Sequence, residues 1–137
     1  MEPSVKVDRI SVKKDRISVL VRLSAHAPRT TWPRLVQEAE LAFPGLLAHA
    51  CVNDVGPMFG DVAACTSVPH MLEHLVIHLQ AVHPQTPAHV TLAGTTEWLD
   101  EAQGLARVEV NYADDLVALG ALQEALAFLN ERMVDCV

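Results

Sequence analysis

Cysteine is scarce in this chain: only Cys51, Cys65 and Cys136 occur among 137 residues. So small an odd number, with no secretory leader in Met1 to Lys6, excludes a disulfide-stapled scaffold and is expected of free thiols in the cytoplasm. Basic residues are also few, ten Lys and Arg against seventeen Asp and Glu, for a formal net charge of −7. They gather only at Arg9, Lys13, Lys14 and Arg16, which leaves no surface that could track phosphates, so nucleic acid is not an expected partner. No apolar run approaches the roughly 18 residues needed to cross a bilayer, so no membrane span is expected.

What is present suits one domain over residues 1–137. Half of the residues are apolar, and a chain of this length can bury a core without disulfides or a structural metal. Ile17, Val19, Val21 and Leu23 alternate with Arg16, Ser18, Leu20 and Arg22, the period of two of a half-buried strand. Asp-Arg-Ile-Ser-Val occurs at Asp8 to Val12 and again at Asp15 to Val19, which reads as two paired strands turning at Lys13-Lys14-Asp15.

Thr31 is expected to cap a first helix with Pro33 in its first turn and Phe43-Pro44-Gly45 at its end. Trp32, Leu35, Val36 and Ala39 would face the core. Leu46 to Ala64 reads as a loop with a short strand at its start. Ser67 and Pro69 open a second helix running to about Val82, stopped by His83-Pro84. His89 to Ala93 and Leu105 to Tyr112 read as strands joined by Gly94 to Gly104. Asp114 or Asp115 caps a last helix carrying a stripe of Leu116, Leu119, Leu122, Leu126 and Leu129. The reading is an α+β fold, order ββααββα or ββαββα. About four strands in two hairpins form an antiparallel sheet, with about three helices on one face.

The second helix carries His70-Met71-Leu72-Glu73-His74. At about 100° per residue, His70, His74 and His78 fall within an arc of roughly 80°, with Glu73 about 60° to the other side of His70. Leu72, Leu75, Leu79 and Val82 lie opposite, so the helix is expected to pack through that flank and leave the histidine flank as a cleft wall. Imidazoles at i and i+4 can share one Zn²⁺, and a carboxylate beside them can act as general base toward an activated water. His-x-x-Glu-His is the ligand order of the inverzincin metallopeptidases. His78 lies about 12 Å along the axis from His70, so it could share an ion with His74 but hardly with both. Cys51, Cys65 and His49, just before the helix, are secondary candidates, and thiolates would favour a closed structural zinc site of Cys51, Cys65, His70 and His74. Spacing alone is equally compatible with ordinary part-exposed histidines and with Cys51 and Cys65 as small buried hydrophobes.

Over most of its length the chain resembles the small N-terminal domain of cyanophycin synthetases. The resemblance is carried by Pro44-Gly45-Leu46-Leu47-Ala48-His49-Ala50-Cys51, by the helix Val68 to Gln80, and by Gly94-Thr95-Thr96 with Gly104-Leu105-Ala106-Arg107-Val108. In the prototypes an ATP-grasp ligase and a Mur-ligase-like module follow this domain. Neither is in the sequence, and no Gly-x-x-x-x-Gly-Lys-Ser/Thr loop occurs, so ligase chemistry is not expected here. In some synthetases the domain is metallopeptidase-like, which implies His70 and His74 as metal ligands and Glu73 as base; in others it serves docking or architecture. This chain has His78 and Asn111 where the family usually has Glu, and His78, Glu97 or a cysteine could supply the replaced ligand.

Two functions are therefore carried forward. One is a zinc-dependent hydrolase of peptide or isopeptide bonds acting on a peptide-like substrate. The other is a non-catalytic binding or assembly module with a degenerate or structural metal site, presenting Met58, Phe59 and Trp98 to a protein partner or to a second copy in a homo-oligomer.

Overall fold

The computed structural model describes residues 3–51 and 53–133; Cys136 lies outside them. Two strands, β1 (Val5–Val12) and β2 (Arg16–Leu23), form the expected antiparallel hairpin. Its turn is closed by Lys13 N–H donating to Arg16 O at 2.8 Å. Two more strands, β3 (Gly94–Asp100) and β4 (Leu105–Asn111), make the second hairpin, and β4 pairs antiparallel with β2. The sheet order is β1-β2-β4-β3, which leaves β3 as an edge.

Three α-helices complete the fold: α1 (Pro33–Ala42), α2 (Val68–Ala81) and α3 (Asp115–Met133). The order ββααββα is one of the two expected. Helix α2 packs over β3 and β4, and α3 over β1 and β2. Ile17, Val19, Val21, Leu23, Ala106, Val108 and Val110 face these helices and are buried. The alternate residues form the uncovered face, where Arg22 pairs with Asp8 and Arg107 with Glu97. One face covered and one solvated accounts for the two-residue alternation of β2 and β4. The side-chain amide of Asn130 ties α3 to the sheet by bonding both backbone groups of Val5, at 2.8 and 2.9 Å.

Several local expectations are corrected. Residues His89 to Ala93 are not a strand; the strand begins at Gly94, inside the stretch read as a connection. Val90, Leu92 and Ala93 are apolar because they wall a cavity, whereas β3 carries exposed Thr95 and Glu97 because its outer face meets water. Thr31 does not cap α1. Its neighbour Trp32 holds that position, and Thr31 Oγ1 instead donates to Ala63 O at 2.6 Å and accepts from Thr66 N–H at 3.0 Å. In α3 the buried face is Ala118, Ala121, Leu122, Ala125, Phe128 and Leu129, while Leu116 is 74% exposed. Of the expected leucine stripe, Leu122 and Leu129 are buried in this face and Leu119 and Leu126 pack against the core, so Leu116 is the member that departs from it. Asp114 does cap this helix, accepting from Leu116 and Val117 N–H.

The segment between α1 and α2 is built from three short 3₁₀ turns, Leu46–Ala48, Phe59–Asp61 and Ala63–Cys65, with one isolated bridge from Ala50 to Met58. Gly45 turns the chain into it at φ 97°, a left-handed conformation that a side chain disfavours. This segment lies against the histidine flank of α2. The helix is consequently buried around most of its circumference, with Glu73, His74 and His78 at 5%, 2% and 6% exposure, while Val82 is 62% exposed. The flank expected to be a cleft wall is thus mostly an interior surface; Ile77, half-buried, is among the residues that reach the cavity.

Candidate metal centre

Helix α2 begins where Ser67 Oγ accepts the backbone N–H of His70 at 3.1 Å, which fixes His70 in the first turn. One turn later comes His74, whose ring stacks on Phe59 at 4.0 Å between centroids. The loop that supplies Phe59 also supplies Cys51, tied down by its N–H to Pro57 O at 3.0 Å. Ligand atoms of Cys51, His70 and His74 all lie within 4.8 Å of one another. Cys51 Sγ and His70 Nε2 are 3.5 Å apart. Bond lengths of about 2.3 Å to sulfur and 2.0–2.1 Å to nitrogen, opened to a tetrahedral angle, give a sulfur–nitrogen edge of roughly this length.

The donor set therefore fits a divalent metal: one thiol and two imidazoles, a set of three that leaves a fourth tetrahedral position open. The other nitrogen of His70, Nδ1, meets Thr66 Oγ1 at 2.8 Å, the kind of outer partner that orients a ligating imidazole. Burial lowers the pKa of His70. For His74 burial, with His70 and His49 adding to it, pushes the value down to about 3. Both rings are held neutral, with lone pairs available to a cation.

Glu73 stands beside this group. Its Oε1 accepts the Thr96 hydroxyl at 2.7 Å, and its Oε2 is 3.7 Å from His74 Nε2. Burial raises its pKa, opposed by the Thr96 hydrogen bond. A carboxyl so placed holds a proton more readily than an exposed glutamate does. Gly94 of β3 passes close by: a Cβ there would stand 3.0 Å from Glu73 Cγ and 2.6 Å from Glu109 O. Glycine is what lets the edge strand approach the helix at Glu73.

The remaining candidates sit elsewhere. His78 faces His49, Nδ1 to Nε2 at 3.2 Å, rather than the Cys51 group. Cys65 is exposed at the end of its 3₁₀ turn and is no member of that group. Glu97 is on the outer face of β3, paired with Arg107 at 2.8 Å. Asn111 uses its amide structurally, accepting from Ala93 N–H at 2.8 Å and donating to Thr91 O at 2.9 Å. Phe59, expected on the surface, is fully buried, whereas Met58 is 44% exposed. Thr66 and Thr96 were not visible as site residues in the sequence. Thr96 falls in the stretch mistaken for a connection, and an isolated threonine carries no spacing signal.

A cavity of about 950 Å³ opens on the group. Cys51, His70, Glu73 and His74 form one part of its wall, and Ile77, Ala81, Val90, Leu92, Ala93 and Trp98 another. Apart from the histidines and Cys51, Glu73 is the only ionisable side chain among the described residues that line it.

An α+β domain with helices on one face of an antiparallel sheet, carrying a Cys/His/His group able to hold a metal ion, is the class that fold and site define. A family model described as the cyanophycin synthase-like N-terminal domain matches residues 16–134, and the chain belongs to that family. Comparison with curated proteins and with solved structures gives no match. Among the described residues no helix is long and apolar enough to cross a membrane.

Proposed function

We propose that this domain binds a divalent metal, zinc by preference, through Cys51, His70 and His74, and hydrolyses a peptide or isopeptide bond in the adjoining cavity. The observation that carries the reading is that the ligand group and a proton-accepting carboxylate share one cavity wall. When bound, such an ion supplies Lewis acidity, which polarises a carbonyl and makes water acidic near neutral pH.

The chain's own residues supply the rest. Thr96 holds Glu73 Oε1 at 2.7 Å, leaving Oε2 to accept a proton from the attacking water. Glu73, then protonated, delivers that proton to the leaving nitrogen. Its raised pKa suits a group that must both take and give it. Ile77, Leu92 and Trp98 exclude solvent and favour an uncharged, apolar side chain next to the bond that breaks.

The test is Glu73→Gln on peptides carrying apolar residues beside the scissile bond. Hydrolysis is expected to fall by about 10²–10⁴-fold with metal content unchanged. Full activity in this variant would remove Glu73 from the mechanism and sink the reading.

A further inference from the structure

His49 and His78 lie outside the Cys51 group, yet they are enclosed beside it. His74 Nδ1 is 3.4 Å from His49 Nδ1, and His49 Nε2 is 3.2 Å from His78 Nδ1. His49 also stacks on His78 with ring centroids 5.3 Å apart. A neutral imidazole has one N–H and one lone pair, so a row of three with these contacts has two self-consistent arrangements. In one, His74 Nδ1–H donates to His49, and His49 Nε2–H donates to His78. In the other, every donation runs the opposite way and His74 keeps its proton on Nε2.

Charge at the two ends chooses between them. Glu40 stands at the His78 end. Its Oε1 accepts Gly45 N–H at 3.1 Å, a Cβ on Gly45 would sit 3.8 Å from His78 Cε1, and its Oε2 is buried with no hydrogen-bond partner among the described residues. The carboxylate acts electrostatically on both His49 and His78. The first arrangement points every N–H toward this negative end. A cation at the other end favours the same direction, because it needs a lone pair facing it. Glu73 makes no hydrogen bond to His74, its Oε2 lying 3.7 Å from Nε2; its charge is the one influence at this end that favours Nε2–H, and the hydrogen-bonded row toward Glu40 opposes it.

We propose that His49 and His78 are positioning residues, a two-imidazole relay from Glu40 that fixes His74 in the Nδ1–H tautomer and frees its Nε2 lone pair for the ion. The relay is the counterpart of a carboxylate–histidine–metal triad, lengthened by two rings. Its link to the ion rests on the metal reading above; the tautomer itself belongs to the metal-free chain.

The experiment is long-range ¹H–¹⁵N NMR of histidine-labelled, metal-free protein at a pH above the ordinary histidine range, paired with zinc titration against a competing chelator. His74 is expected to be protonated on Nδ1 in the wild type and to revert to Nε2–H in His49→Phe, whose ring preserves the packing. Zinc affinity is expected to fall about 10–100-fold in that variant. Glu40→Gln, at the far end and able to keep the Gly45 contact, is expected to lower the Nδ1–H population without disturbing the fold; it carries the test if His49→Phe does not fold. Wild-type His74 protonated on Nε2, or a tautomer unchanged in the folded variants, overturns the relay. The expected tautomers without zinc binding by the wild type would uphold the relay and overturn the metal reading.

Discussion

His74 is the residue on which most of the site converges. It touches Phe59, His70, His49 and Glu73, and it is held neutral with a pKa near 3 by burial first and its histidine neighbours second. In the unfolded chain it returns to its ordinary value near 6.5, so below that pH the unfolded state binds a proton that the folded state refuses. Through His74 the metal-free protein should lose stability as pH falls through 6.5 toward 3, by up to about 1.4 kcal/mol per unit, while Glu73, whose pKa burial raises, contributes in the opposite direction. His49, His70 and His78, also lowered by burial, act in the same direction as His74. Urea unfolding between about pH 8 and about pH 5 checks this; a midpoint that did not move would mean that the imidazoles are not enclosed in solution. The sequence showed His70, Glu73 and His74 through helical spacing. It could not rank Cys51 above Cys65 or His78, because a partner 19 residues from His70, or one on a different turn, is chosen by how the intervening loop folds. That loop brings Cys51 against His70 and leaves Cys65 exposed.

At the level of elements, helix α2 was legible from its ends, with Ser67 as cap and His83-Pro84 as stop, but its burial was not. Periodicity reports a helix's own polar flank and says nothing about a later or earlier loop that covers it. The same limitation explains β3 and α3. An edge strand with one wet face reads as a polar connection, and a stripe of leucines does not show which alanines share the packed face. Two variants test the observed α3 face. Ala125→Leu, at a fully buried position, should cost about 1–3 kcal/mol through overpacking, whereas Leu116→Ser, 74% exposed, should stay within about 0.5 kcal/mol of wild type. Thermal or denaturant unfolding of the pair reads both, and the reverse ranking would contradict the packing of α3 on α2.

Across the whole molecule, the four-stranded sheet with helices on one face followed from alternation, turn residues and helix caps. The helical layer supplies His70 and His74 on α2, and the long segment between α1 and α2 supplies Cys51 and Phe59, so the ligand group exists only once these two are assembled; the sheet adds Thr96 on β3, which holds Glu73. An ion that binds this assembled group and not the unfolded chain must stabilise the fold by mass action. At a free zinc concentration about 100 times its dissociation constant the gain is about 2.7 kcal/mol. It should appear as a concentration-dependent rise in melting temperature of the wild type and be absent in Cys51→Ala.

The central claim is that Cys51, His70 and His74 hold one metal ion, and metal content by elemental mass spectrometry tests it most directly. The measurement is made on untagged wild type, Cys51→Ala and His74→Ala after zinc is supplied and unbound ion removed. The account predicts close to one zinc per chain in the wild type and its loss in both variants. A wild type without metal, or a Cys51→Ala protein that retains a full equivalent, would contradict it.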